Sequence, residues 1–144
     1  MRIKVSLPES FVFSCVIPVR ITDVNYGGHV GNDAILSILH EARLQFLKYY
    51  GYSEMDFGGT GLIMSDVAIE FKHEAFYGDV LTVHVALSDV QKVSFDICYK
   101  IEKQEGEKPV PVVLAKTGMV CFDYNSRRPA AFPETAKNKM IPQV

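Results

Sequence analysis

The chain is short of the features that most quickly classify a protein. It has only three cysteines in 144 residues, Cys15, Cys98 and Cys121, odd in number, far apart and each set among apolar neighbours. That excludes a disulfide framework and zinc-type spacing, and predicts inert core thiols in a reducing compartment. No apolar run approaches the roughly 18 residues of a membrane helix. The opening stretch MRIKVSLPESFVFSCVIPV is interrupted by Pro8, Glu9 and Pro18, which makes it a poor secretory signal. The expected location is the cytoplasm. Charge of one sign is never concentrated: 15 basic and 17 acidic residues give a net charge of −2. Without a positive surface to exchange for counterions, nucleic acid is not an expected partner. Arg127-Arg128 is a local basic spot of the size a small anionic ligand would meet.

Several catalytic signatures are also missing. There is no G-x-S-x-G, and Ser37, Ser65 and Ser94 fall inside regular elements without a nucleophile elbow. There is no P-loop, and GGTG (58–61) lacks the spacing and setting of a dinucleotide fingerprint. No His or Cys pair has ligand spacing on one element, so no metal is expected. Neither internal repeats nor low-complexity segments occur.

What is present fits an ordinary globular chain, 48% apolar and read as a single domain over 1–144. At this length folding buries about 68–70% of the extended chain's surface. Phe11 to Ile21 is β-branched and aromatic and reads as a strand, with Pro18 suited to a sheet edge or bulge. A glycine-containing loop follows to Gly31. From about Asn32 to Tyr50 the apolar residues Ile35, Ile38, Leu39, Ala42, Phe46 and Tyr49 recur at helical spacing, widened by Leu36, Leu47 and Tyr50. Asp33, Ser37, His40, Glu41, Leu44 and Lys48 fall on the opposite face. Asn32 is the expected N-cap, Asp33 adds negative charge to the first turn, and Gly51 supplies the stop. Four strand-like runs come next, near 62–73, 80–87, 93–102 and 110–124. A charged loop, EKQEGEKP, centred on Gly106, is expected between the last two. The tail from Asn125 to Val144 reads as surface-bound. One helix cannot cover both faces of a five-stranded sheet, so the sheet is expected to curl around the helix and to pack its other face against a second copy.

The stretch ITDVNYGGHVGNDAILSILHEARLQFLKYYGY (21–52) concentrates the chemistry. DVNYGGHVGND followed by HEARLQFLKYYG resembles the pattern D-x-D-x-x-G-H/V-V-x-N then E-x-A-R of the hotdog-fold thioesterases, in the 4-hydroxybenzoyl-CoA thioesterase and short acyl-CoA thioesterase branch. IEFKHEAFYGDVLTVHV and AKTGMVCFDYNSRRPAAFPE are similar to later strands of the same family, and the likeness runs over about 11–135. It implies an α+β hotdog fold, a five-stranded antiparallel sheet wrapped around one long helix. It also implies sheets paired edge to edge in a homodimer or a dimer of dimers, and an acyl-CoA or acyl-carrier-protein (ACP) thioester substrate held between protomers. No cofactor is implied, coenzyme A entering only as part of the substrate. The thioester carbonyl is expected over the start of the helix, facing the amides of Gly31, Asn32 and Asp33, with Tyr26 closing over it.

The family's catalytic carboxylate is the second acid of D-x-D, and here that position is Asn25. An asparagine has no useful basicity and only orients a water or a carbonyl. Three residues remain as candidate bases: Asp23, the first acid; His29, an imidazole suited to proton transfer at neutral pH; and Glu41, supplied from the helix. Each has a plainer reading, Asp23 and Asn25 as turn residues, His29 as a packing residue, and Glu41 as a surface acid. Gly27 and Gly28 are expected to serve positive φ or close backbone approach. His40, His73 and His84 have no partners visible in the sequence and are expected to be structural. The expected activity is thioester hydrolysis, the alternatives being a non-catalytic acyl-CoA-binding protein and a dehydratase or hydratase.

Overall fold

The helix is the element around which the rest is arranged. In the computed structural model, which describes residues 1–141, α1 spans Asn32–Tyr49 and buries Ile35, Ile38, Leu39, Ala42, Phe46 and Leu47. It lies in the concave face of one antiparallel sheet formed by β1 (Phe13–Pro18), β2 (Gly61–Phe71), β3 (Val80–Ser88), β4 (Ser94–Glu105) and β5 (Lys108–Asp123) in the order β1-β3-β4-β5-β2. A two-residue strand, β6 (Arg128–Pro129), adds to β5. This is the hotdog arrangement. The inward side chains Leu81, Val83 and Val85 of β3 and Phe95, Ile97, Tyr99 and Ile101 of β4 are essentially inaccessible and form one core with the helix. Such an enclosed helix explains the width of its apolar stripe. Tyr49 and Leu36, placed on that stripe by spacing, are exposed instead, because they lie at its margins against the sheet edges, Tyr49 beside the Phe13 ring of β1 and Leu36 in a groove with Met64 of β2.

Three local expectations are corrected. Gly31, not Asn32, is the N-cap: its backbone is extended (φ −72, ψ 155) and Asn32 is already helical. The charged loop around Gly106 is almost entirely strand, since the β4–β5 ladder continues to the Glu105–Lys108 pair and leaves only Gly106 (φ +65) and Glu107 to turn. The tail contains α2 (Glu134–Met140), which buries Ala136 and Met140; Phe132 packs edge-on against Phe57 and Phe95. Its last positions, 142–144, lie outside the described residues.

Pro18 ends β1 at a sheet edge, where its missing N–H leaves no gap in the ladder. The outer sheet face carries His84, Asp96, Lys100, Glu102 and Lys116, and the N-terminal segment crosses it, Val5 N–H donating to Glu70 Oε1 at 3.1 Å. The expectation of a second copy on that face therefore meets charged side chains. Exposed apolar groups gather on the other edge strand, β2: Ile63, Met64, Val67 and Phe71.

Candidate active site

The loop between β1 and α1 is built by short-range hydrogen bonds. A 3-10 turn at Ile21–Asp23 follows Arg20, and the Asp23 carboxylate turns back to accept the Arg20 N–H at 2.8 Å. Asp23 is 5% exposed, and its Oδ1 also meets the Arg20 guanidinium at 3.4 Å. Its own carbonyl accepts the Gly31 N–H at 3.0 Å. This acid therefore ties the start of the loop to its end, with its carboxylate directed away from solvent.

Between those ties, residues 25–29 form a tight projection. Asn25 N–H donates to the His29 carbonyl at 2.9 Å, and the Asn25 side-chain oxygen accepts the Gly27 N–H at 2.9 Å, the local turn asparagine favours. Gly28 takes φ +86, a conformation that a side chain would strain. Tyr26 stands fully exposed at the tip. The Asn25 side chain lies against Gly31, its amide nitrogen 3.7 Å from where a Gly31 Cβ would stand, and the Asp33 carboxylate approaches the same point from the helix. Asn25, Gly31, Asn32 and Asp33 are thus neighbours at the helix start, where no side chain caps the first turn. Such a turn presents free N–H groups and the positive end of the helix dipole.

His29 borders the same ground. Its Nδ1 lies 3.1 Å from the Val30 carbonyl. A carbonyl only accepts, so Nδ1 carries the proton and Nε2 keeps the lone pair in the neutral ring. Nε2 is 3.8 Å from Glu74 Oε1. His29, Asn32 and Ile35 form one wall of a cleft of about 260 Å³ whose other wall is the 71–75 segment with Val112 and Val113. That second wall is held by Val30 N–H donating to the Ala75 carbonyl at 2.8 Å. Buried Lys103 holds it as well: its Nζ donates to the Glu74 carbonyl at 2.7 Å, meets Asp79 at 3.4 Å and lies 5.1 Å from the centre of the Phe76 ring. On the outer sheet face, hydrogen bonds from Lys72 and the Val5 N–H hold the Glu70 carboxyl below its usual range.

Glu41 is not part of this cluster. It stands ten positions beyond Gly31, roughly 15 Å along the helix, in a separate groove of about 380 Å³ between α1 and β1 shared with Arg20 and His40. Its carboxylate accepts from Gln45 Nε2 at 2.9 Å.

The sequence matches the family model of the thioesterase-like superfamily over residues 19–140. The chain belongs to that superfamily. Solved structures place this thioesterase-like chain in the same fold. The 1,4-dihydroxy-2-naphthoyl-CoA thioesterase Slr0204 from Synechocystis is 24% identical, with a TM-score of 0.77 over 88% of this chain and 93% of that one. A thioesterase-superfamily protein from Jannaschia sp. CCS1 is 21% identical, with a TM-score of 0.78 over 91% and 82%. The DHNA-CoA thioesterase of Staphylococcus aureus is 17% identical, with a TM-score of 0.72 over 87% and 80%. Among the described residues no helix is long and apolar enough to cross a membrane.

The thioesterase-like chain also holds groups that sequence reasoning missed. Lys103 and Glu74 were invisible as a pair because they meet only when β4 passes the segment after β2. Arg43, unassigned to either helix face, is 6% exposed and bonded to Tyr99 and Glu54; its spacing from Leu39 and Phe46 was the available signal. His40 pairs with Glu54 at 2.8 Å, His73 with the Pro111 carbonyl at 2.7 Å, and His84 with Ser14 and Glu102.

Proposed function

We propose that the chain hydrolyses acyl thioesters of coenzyme A or acyl-carrier protein at the cleft between the α1 N-terminus and the 71–75 segment. The observation that carries this reading is His29: its Nδ1 proton is committed to the Val30 carbonyl, so Nε2 is the ring's free base beside an uncapped helix start. Asn25 orients a water, His29 Nε2 takes its proton as it attacks the carbonyl carbon, and the first-turn amides of Asn32 and Asp33 stabilise the oxyanion. The exposed Asp33 carboxylate, now folded over Gly31, swings outward to admit that oxyanion. Asp23 holds the loop in shape, and a partner chain's Glu41 is the remaining candidate for a second carboxylate. Two of the solved neighbours act on aromatic acyl-CoAs by name, which recommends aryl-CoA thioesters for the first assays.

The test is free-thiol release from a panel of short, long and aromatic acyl-CoAs. Turnover on a subset, falling roughly 10²–10⁴-fold in His29→Ala with acyl-CoA binding retained, supports the reading. A second reading, acyl-CoA binding without hydrolysis, is favoured by Asn25 standing where the family has its carboxylate. Thermal stabilisation by acyl-CoA with no thiol release selects it.

A further inference from the structure

On the outer sheet face, away from the cleft, a serine, a histidine and a glutamate are joined in series. Ser14 of β1 sits directly opposite His84 of β3, and its Oγ is 2.6 Å from His84 Nδ1. His84 Nε2 is 2.7 Å from Oε1 of Glu102, which lies on β4 diagonally across from it. The His84 and Glu102 side chains are 27% and 17% exposed, while Ser14 faces solvent. The Phe11 ring lies 5.8 Å from the His84 ring, and Lys100 Nζ stands 3.6 Å from the other Glu102 oxygen, countering its charge.

Proton placement follows from the chemistry of each partner. An ionised Glu102 only accepts, so His84 Nε2 bears the proton and Nδ1 presents its lone pair. The Ser14 hydroxyl then donates to Nδ1. This is the acid–imidazole–hydroxyl order of a nucleophilic triad, with the two ring nitrogens exchanged relative to the serine proteases. It arises without a nucleophile elbow, because cross-strand register brings the three side chains together. The absence of G-x-S-x-G from the sequence does not bear on it.

We propose that Ser14 is an activated nucleophile, and that Ser14, His84 and Glu102 form a second acyl-accepting centre for small carboxylic esters with good leaving groups. In the acylation step Ser14 Oγ bonds to the carbonyl carbon while its proton passes to His84 Nδ1. Collapse of the adduct breaks the bond to the leaving alkoxide or phenoxide, which departs with that proton. Water then attacks the acyl-serine, giving its proton to Nδ1, and the hydroxyl of Ser14 is restored as the acid leaves. The hydroxyl is exposed, and among the described residues no oxyanion donors are assembled around it. Each such donor is worth on the order of 10²–10³ in rate, so the centre is slow and is read by covalent labelling better than by turnover.

The experiment treats the full chain with p-nitrophenyl acetate and, separately, with a fluorophosphonate, and locates the adduct by peptide mass mapping. One adduct per chain on Ser14 is expected, absent in Ser14→Ala and formed roughly 10²-fold or more slowly in His84→Ala. Because His84 also links the strands, Glu102→Gln is the second variant, slowed at unchanged melting temperature. No adduct on Ser14, or adduct formation as fast in both the His84 and Glu102 variants as in the wild type, overturns the proposal. Thioester turnover at the cleft is unaffected by Ser14→Ala, so this proposal and the thioesterase reading fail independently.

Discussion

The Asp23 carboxylate accepts the main-chain N–H of Arg20 at 2.8 Å while the Asp23 carbonyl accepts the N–H of Gly31. One residue thereby closes both ends of the loop that carries Asn25 and His29. Asparagine keeps an acceptor oxygen at that position and alanine does not. Asp23→Asn is expected to hold the fold and to lose less activity than the roughly 10²–10⁴-fold that removal of a general base costs. Asp23→Ala is expected to cost about 1–2 kcal/mol, as loss of a capping side chain does. Urea denaturation beside thiol-release assays checks both; a base-sized loss in the asparagine variant would return Asp23 to the chemistry.

Beneath α1, Arg43 Nη1 donates to the Tyr99 hydroxyl at 3.2 Å, and that hydroxyl lies 2.7 Å from Thr117 Oγ1. Burial pushes the Tyr99 phenol above its usual range, outweighing the opposing pull of Arg43, so the hydroxyl stays protonated and available to Thr117. Tyr99→Phe leaves Arg43 short of a partner and is expected to cost about 1–3 kcal/mol. Arg43→Ala removes the buried guanidinium that bridges Tyr99 and Glu54, leaving the Glu54 carboxylate to His40 alone, and is expected to cost at least as much, about 1–3 kcal/mol. Chemical denaturation curves with unchanged slope would establish these as losses of stability alone.

Burial pushes the thiol of Cys15 up to about 11, and those of Cys98 and Cys121 also rise, burial being the largest cause at each. The thiolate is the reactive form, so at pH 8 about one Cys15 in a thousand is ionised. The native protein is expected to resist a disulfide reagent at pH 8 and to react at all three cysteines in guanidinium. Reactivity at Cys15 is expected to grow as pH rises towards 11, since deprotonation is what burial suppresses. Rapid reaction of the folded protein at neutral pH would contradict this.

β2 ends the sheet with Ile63, Met64, Val67 and Phe71 exposed. An unpaired edge of this kind pairs with another chain unless charge blocks it. The wild type is expected to sediment as a dimer or a multiple of one, and Val67→Lys as a monomer. A fully monomeric wild type would remove partner-chain Glu41 from the proposed site.

The helix and the succession of strands along the chain were legible because they are written in short-range periodicity. Ile35, Ile38, Leu39, Ala42 and Phe46 mark their common face whatever surrounds them. The alternation in β3 does the same for a sheet covered on one side. The short helix α2 was not legible: Phe132, Ala136 and Met140 are too few to establish a period. What makes them core is Phe57 and Phe95, distant in sequence. The N-cap shifted by one residue because an extended glycine begins a helix without a polar side chain to signal it.

By itself, the chain's order of residues determined the long amphipathic helix and the run of strands around it, and its motifs resemble those of the hotdog thioesterases except at Asn25, where that family has a carboxylate. These are properties of spacing and of residue type. Only the tertiary structure decided that Asp23 faces inward, that His29 keeps Nε2 free, that Glu41 stands in another groove, and that Ser14, His84 and Glu102 form a line. Each depends on where a side chain's hydrogen-bond partner lies. For the residues on neighbouring strands that is set by sheet register, which brings together positions up to 70 residues apart.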